Sequence, residues 1–596
     1  MHSDLDGMLA ESNADSLSSI LEVVNRIDAI GNLDFGEPVR IAVVRNYVID
    51  ALETYLKYHL YRAALRSDVR FGDYDTVFQE VLTDAFRADG YEPDIIVLSL
   101  MLPQFEPDYE VRDWEVDDVA ERLCGLFDMV ASRTDALVVV NTFLRPFPCA
   151  CGIASTGSKP GLTYRVGLLN QRIRDYVGNH AGQFFVVDWE LLVMQAGDSA
   201  CIDRRFWYMA KAPFKPAFLK LYAAEIIKIG RALKGRTKKC VVLDCDNTLW
   251  GNVIGEDGLD GIQLDRNEFP GNTYYDFQKS IIQLVHRGVL VAVCSRNNEA
   301  DVFDVLDNHP FCLLKRTHVA AHRINWRNKV DNLSELANEL NLALDSFVFV
   351  DDSDFECGLV SRYLPEVTVR QVPHQLHKLP RLLLEEGLFD SLTWSEEDRH
   401  RTAMVQAEQR RQHARSQFHD LDAYLALLNL KATIHPARES EFTRVAQLTQ
   451  KTNQFNLTSR RYSEQQIRRL AANDAVRVFT LSVTDKYGDS GLTGILIAKR
   501  EGERGRIDTF LLSCRILGRN LELAFVRHCL HELNRTWRPA EWLAEYIPAE
   551  KNAQVADFWE KIGFTVDPPR AQSKRYRMRP AAAIIDPVTA IEIVSG

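Results

Sequence analysis

Apolar residues along this chain come in short, strand-like bursts separated by amphipathic stretches. "RIAVV" (40–44), "DIIVLSL" (94–100), "ALVVV" (136–140) and "QFFVVDW" (183–189) read as strands, and "TVFQEVLTDAFRA" (76–88) as one of the intervening helices. That alternation predicts an open α/β sheet over 31–235. A basic hinge, "RALKGRTKK" (231–239), leads into a second α/β block, 236–390, with strands at "CVVLD" (240–244), "VLVAVCS" (289–295) and "SFVFVDD" (346–352). Within it a helix is predicted over 329–342, because Leu333, Leu336, Ala337 and Leu340 fall on one face. The charged, helix-prone "WSEEDRHRTAMVQAEQRRQHARSQF" (394–418) reads as a connector within 391–430. A strand-rich block with one long helix near 520–533 follows, so 431–579 is expected to be α+β. The polar first 30 residues, with room for one helix, and the last stretch, 580–596, read as tails. No repeat of solenoid period is present.

The 596-residue length suits three or four domains. With 46% hydrophobic and 26% charged residues the composition is that of a globular protein. A net charge of -12 argues against non-specific nucleic-acid binding. The longest apolar runs are too short to span a bilayer, and the N-terminus lacks the pattern of a secretory signal. The 11 cysteines include no CxxC pair and several lie inside apolar runs, which suits reduced thiols and a cytoplasmic setting.

The chemistry is concentrated in the central block. In "VVLDCDNTLWG", Asp244 and Asp246 stand two residues apart and can address one site. One carboxylate can attack a phosphoryl group while the other shuttles a proton to the leaving oxygen. Such crowded anions need a cation, and oxygen-only ligands select Mg²⁺. The next strand ends in Cys294-Ser295-Arg296-Asn297, where a hydroxyl and backbone N–H groups at a strand-to-helix turn suit phosphate oxygens. Lys329 opens a helix and offsets developing negative charge; Asp351 and Asp352 end a third strand and complete a metal shell with Asp244 and Asp246.

The order DxDNT, S, K, DD resembles the haloacid dehalogenase superfamily. The resemblance implies that Asp244 is the nucleophile, Asp246 the acid/base, and Ser295 and Lys329 the phosphate holders. Longer strings, "LDCDNTLWGNVIGEDG" (243–258), "VAVCSRNNEADV" (291–302), "QLTQKTNQFNLTSRRY" (447–462) and "IDTFLLSCRILGRN" (507–520), resemble the FkbH-like proteins of polyketide and related pathways. That likeness implies transfer of a glyceryl group from 1,3-bisphosphoglycerate to the phosphopantetheine arm of an acyl carrier protein, with removal of phosphate. Cys294, beside Ser295, is the leading thiol for an acyl intermediate, made a thiolate by Lys329 and the metal; Cys514 is the second. Gly251-Asn252 and Asp351-Asp352-Ser353-Asp354 depart from the family's Gly-Gly and DDNP, which bears on the acyl group.

The final block resembles the Gcn5-related N-acetyltransferase fold through "SCRILGRN" and "EYIPAEKNAQVADFWEKIGF" (545–564). Its loop Arg515-x-x-Gly518-x-Asn520 keeps the phosphate-binding spacing with the last small residue replaced. Arg460, Arg461, Arg515 and Arg519 are expected to form a basic patch for the carrier and its arm. Asn453, Gln454 and Asn456 suggest a polar binding loop. The first block loosely resembles an SGNH hydrolase, with Asn46 and Asp203 as relics and no nucleophilic serine, so docking or scaffold duty is expected of it. Two alternatives stand beside acyl transfer: a Mg²⁺-dependent phosphatase without it, and a non-catalytic carrier-docking scaffold.

Overall fold

The computed structural model describes residues 16–30, 38–112, 114–146, 150, 152–155, 157, 161–393, 396–415, 418, 420–549, 551–567, 573–580 and 591–595. The chain divides into two units, Met1–Arg236 and Thr237–Gly596.

In the first unit α1 (Leu17–Ile30) precedes β1 (Val39–Arg45), α2 (Leu52–Arg62), β2 (Ser67–Tyr74) and β3 (Ile95–Ser99). Then come α3 (Val116–Arg133), β4 (Leu137–Asn141), α4 (Leu162–Asn179), β5 (Phe184–Val187) and α5 (Pro216–Leu233). The strands form a parallel sheet in the order β2-β1-β3-β4-β5. Strands buried on both faces carry continuous apolar runs, as β3 and β4 do. Residues 16–30 are not a tail: α1 buries Ile20, Val23, Val24 and Ile27, and the Tyr61 hydroxyl donates to Asp28. Residues 1–15 lie outside the described residues. The two SGNH-like relics have structural work: Asn46 exchanges hydrogen bonds with the backbone of Met101, and Asp203 caps the short helix Arg204–Ala210.

The second unit begins with β6 (Cys240–Leu243), α6 (Gly271–His286), β7 (Leu290–Ser295), α7 (Glu299–Asn308) and β8 (Val319–Ile324). It continues with α8 (Lys329–Glu339), β9 (Phe347–Asp351), α9 (Asp354–Tyr363) and β10 (Thr368–Gln371). These strands form a second parallel sheet, β10-β9-β6-β7-β8. The order reverses at β6, so a crevice opens beyond the carboxyl ends of β6 and β9, the place where open α/β sheets bind ligands.

Beyond it lie α10 (Arg401–Arg415), β11 (Leu430–Pro436), α11 (Phe442–Lys451), β12 (Val476–Asp485), β13 (Gly488–Glu501) and β14 (Arg504–Leu512). The chain then forms α12 (Leu521–Trp537), β15 (Glu541–Tyr546), β16 (Thr565–Val566), β17 (Lys574–Met578) and β18 (Ile591–Ser595). The eight strands make one sheet, antiparallel except at β14/β15 and β11/β18. The expected C-terminal tail is therefore partly strand: Ile591–Ser595 lies along β11, while 581–590 and 596 fall outside the described residues.

Candidate functional site

Asp244 directly follows β6, and its backbone N–H donates to Val350 of β9 at 3.0 Å, which ties the two strand ends together. Asp351 closes β9 and Asp352 follows it. Carboxylate oxygens of Asp244, Asp351 and Asp352 lie within 4.8 Å of one another. Lys329, at the start of α8, is buried and reaches Asp244 Oδ1 at 2.9 Å and Asp351 Oδ2 at 2.6 Å. Asn328 caps that helix by accepting from the Val330 N–H, fixing where the lysine emerges.

Burial works against the Lys329 charge, and Asp244 and Asp351 together outweigh it, so its pKa lies above the ordinary lysine value. Burial, then the charge of Asp244, holds Asp351 and Asp352 above the usual carboxylate range. Three carboxylates facing one ammonium leave an uncompensated negative charge. An all-oxygen donor set with that charge fits a hard divalent cation such as Mg²⁺.

Asp246 departs from the metal role expected of it and is not part of this group. Its Oδ1 accepts from Trp250 Nε1 at 2.9 Å and from Ile254 N at 3.1 Å, and its Oδ2 from Asn297 Nδ2 at 2.9 Å. The tight turn after β6 makes this possible: Leu249 N donates to Cys245 O, and Asn247 takes a positive φ of 53°. Fully buried Trp250 was missed in the sequence; its spacing of four from Asp246, across a turn, was the available signal. Asn297 also donates to Ser295 Oγ at 3.1 Å, so the hydroxyl stands within the same network. Arg296 is exposed and paired at 2.7 Å with Glu356, in the first turn of α9 just after Asp352.

Cys294 does not have the environment expected of it. It is fully buried among Ala292, Leu333 and Leu336, the layer between the sheet and α8. Burial pushes its thiol up to about 12, and Lys329 does not reverse this, so it is a neutral core thiol. Cys245 is likewise buried, its pKa raised well above the ordinary value by burial.

The arginines of the expected basic patch each have partners within the chain, and Arg515 also lines a cavity. Arg460 is paired with Asp508 and Glu545, and Arg461 donates to Gln450 O and Asn453 Oδ1. Arg519 is buried against Glu408 and Asp485, and Arg515 donates to Ser513 Oγ and Met404 Sδ. Gly518, with φ 76°, supplies the turn into α12. Within the expected polar loop, Asn453 and Gln454 line a cavity together with Lys239 and Lys451, whereas Asn456 does not. Phe455 and Leu457 bond to β14, and Leu457 accepts from Ile547 N, so this segment fills the wedge between β14 and the end of β15. Asn456 is buried and holds its own turn through Ser459 N and Thr452 O.

No family model matches the chain, and no curated protein does. Among solved structures, the N-terminal part of the protein BF1531 from Bacteroides fragilis, containing a phosphatase domain complexed with Mg, matches at TM-score 0.58 and 22% identity. The match covers 64% of this chain and 100% of that one, and shows a shared fold. The ribosomal-protein-S18-alanine N-acetyltransferase from Escherichia coli matches at 14% identity, over 25% of this chain and 93% of its own. A spermidine N-acetyltransferase from Vibrio cholerae matches at 12%, over 25% and 94%. Both have a TM-score of 0.21, too low to carry an argument.

Proposed function

We propose that this chain is a Mg²⁺-dependent phosphoryl-handling enzyme of haloacid-dehalogenase type. One observation carries the reading: Asp244, Asp351 and Asp352 converge around buried Lys329 at the switch point of a parallel sheet. The sequence order of these residues and the fold shared with a phosphatase-containing structure that holds Mg support it.

Asp244, Asp351 and Asp352 would hold Mg²⁺, which supplies charge neutralisation for the phosphate oxygens. Asp244 attacks phosphorus through a carboxylate oxygen. The P–O bond to the leaving group breaks, and Asp246, oriented by Trp250 and Asn297, passes the proton that this oxygen needs. Ser295 and the N–H groups of its turn hold the equatorial oxygens, and Lys329 offsets their charge. Water then cleaves the aspartyl-phosphate and frees inorganic phosphate.

The finer reading rests on sequence likeness: the donor is a phosphorylated three-carbon acyl phosphate and the acceptor an acyl carrier protein's phosphopantetheine thiol. The first unit then serves as a scaffold or docking domain, since its relic positions are occupied by structural hydrogen bonds. The test supplies Mg²⁺, 1,3-bisphosphoglycerate and a pantetheinylated carrier protein, and reads phosphate release together with intact carrier mass. The expected result is a glyceryl adduct, with enzymatic phosphate release falling at least about 10³-fold in Asp244→Asn and abolished by EDTA. Phosphate release without an adduct reduces the protein to a phosphatase. No Asp244-dependent release from any phosphomonoester leaves only the docking scaffold.

A further inference from the structure

The opposite end of the same sheet holds a second concentration of charge. Lys239 sits just before β6, at the amino ends of the strands, whereas Asp244 sits at the carboxyl ends. Around Lys239 the second unit forms a partly open cavity of about 130 Å³. Six cationic side chains line it: Lys239, Arg401, Arg444, Lys451, Arg515 and Lys551. Among the described lining residues one carboxylate, Asp398, faces them.

Six cations and one carboxylate among the described lining residues give the cavity wall a net positive charge. Asp398 is buried, accepts from Lys451 at 3.3 Å and from Gln447 at 3.1 Å, and approaches so close to Gly288 that a side chain there would collide with it. Lys551 is paired with Asp345. Lys239 donates to the backbone carbonyl of Lys451 at 3.1 Å, and Arg401 to that of Gly288 at 2.8 Å, both neutral acceptors. Burial and the charge of Arg401 pull the Lys239 pKa down to about 8. Burial does the same to Lys451, again to about 8, with Asp398 opposing. Like charges gathered in a half-buried cleft repel one another, and an anion entering it relieves that repulsion.

We infer that this cavity is a binding site for a small, multiply charged phosphate-bearing anion, separate from the Asp244 site. Its volume suits a metabolite-sized ligand and is well below the roughly 300–1,000 Å³ of pockets for larger molecules. Arginine and lysine together suit phosphate, the first by its planar fork and the second as a point charge. Half-buried Cys514 stands in the same wall, so it reports on occupancy.

Inorganic pyrophosphate is the probe, used with the full-length protein in EDTA so that metal-dependent chemistry is silent. Two quantities are read: binding heat, and the rate at which iodoacetamide alkylates Cys514, followed by peptide mass mapping. Saturating pyrophosphate is expected to slow alkylation of Cys514 about tenfold or more, against a chloride control of equal ionic strength. Lys239→Met is expected to weaken pyrophosphate binding by about tenfold or more while keeping Mg²⁺-dependent phosphate release. Unchanged Cys514 alkylation under pyrophosphate overturns the site, as does wild-type affinity in Lys239→Met. If that variant does not fold, the alkylation comparison on the wild type decides alone. Because phosphate release is assayed separately, failure here leaves the Asp244 chemistry standing, and the converse holds.

Discussion

His59, on α2, has a buried Nε2 atom without a hydrogen-bond partner among the described residues. Burial, followed by the charges of Arg62 and Arg231, lowers its pKa to about 3. The unfolded chain, with a histidine pKa near ~6.5, therefore takes up the proton first. The stability contributed by neutral His59 is complete above about pH 6.5 and is lost as pH falls from there towards 3, by at most about 1.4 kcal/mol per pH unit. Urea unfolding of the first unit between pH 7 and 5 should show this slope, and His59→Leu should flatten it. An unchanged slope in the variant would assign it to other groups. At this same scale the convergence of Asp244, Lys329 and Asp351 was legible, because each sits at the end of an apolar run or at a helix start. Cys294 was misread for a reason already in the sequence. Adjacent strand residues face opposite ways, so a neighbour of Ser295 points into the layer under α8. The Asp246 network was not legible, because it depends on a turn that brings Trp250 and Ile254 back onto one carboxylate.

At the scale of elements, α1 shows how composition can mislead where period does not. Ile20, Val23, Val24 and Ile27 repeat at helical spacing and all four are buried, although the surrounding residues are polar enough to suggest a tail. Ile27→Ala is expected to destabilise the first unit by about 2–5 kcal/mol in urea unfolding; a change near zero would mean that α1 is not docked. The connector was read correctly as helix, but not as a packing element. Helix α10 reaches the second sheet through Gln406 and Gln409, which donate to Val319 O and Ala320 O. It reaches the third through Arg411, whose guanidinium is paired with fully buried Asp485. Polar contacts of this kind leave no apolar stripe, so hydrophobic period could not reveal them.

For the molecule as a whole, alternating strands and helices made the three sheets legible, while the grouping of the last two into one unit was not. Each unit has its own core, with the first closed around β1, β3 and β4. Residues 237–596 expressed alone are therefore expected to fold and to keep Mg²⁺-dependent phosphate release, measured beside circular dichroism; loss of both would make the first unit obligatory for the fold. Lys239 and Asp244 flank β6 at its two ends. They are five residues apart along one strand, about 17 Å at 3.3–3.4 Å per residue, with the packed sheet between them. No atom held at one pole can react at the other. A compound that uses both must be let go and caught again, or ride on a tether long enough to swing around the sheet.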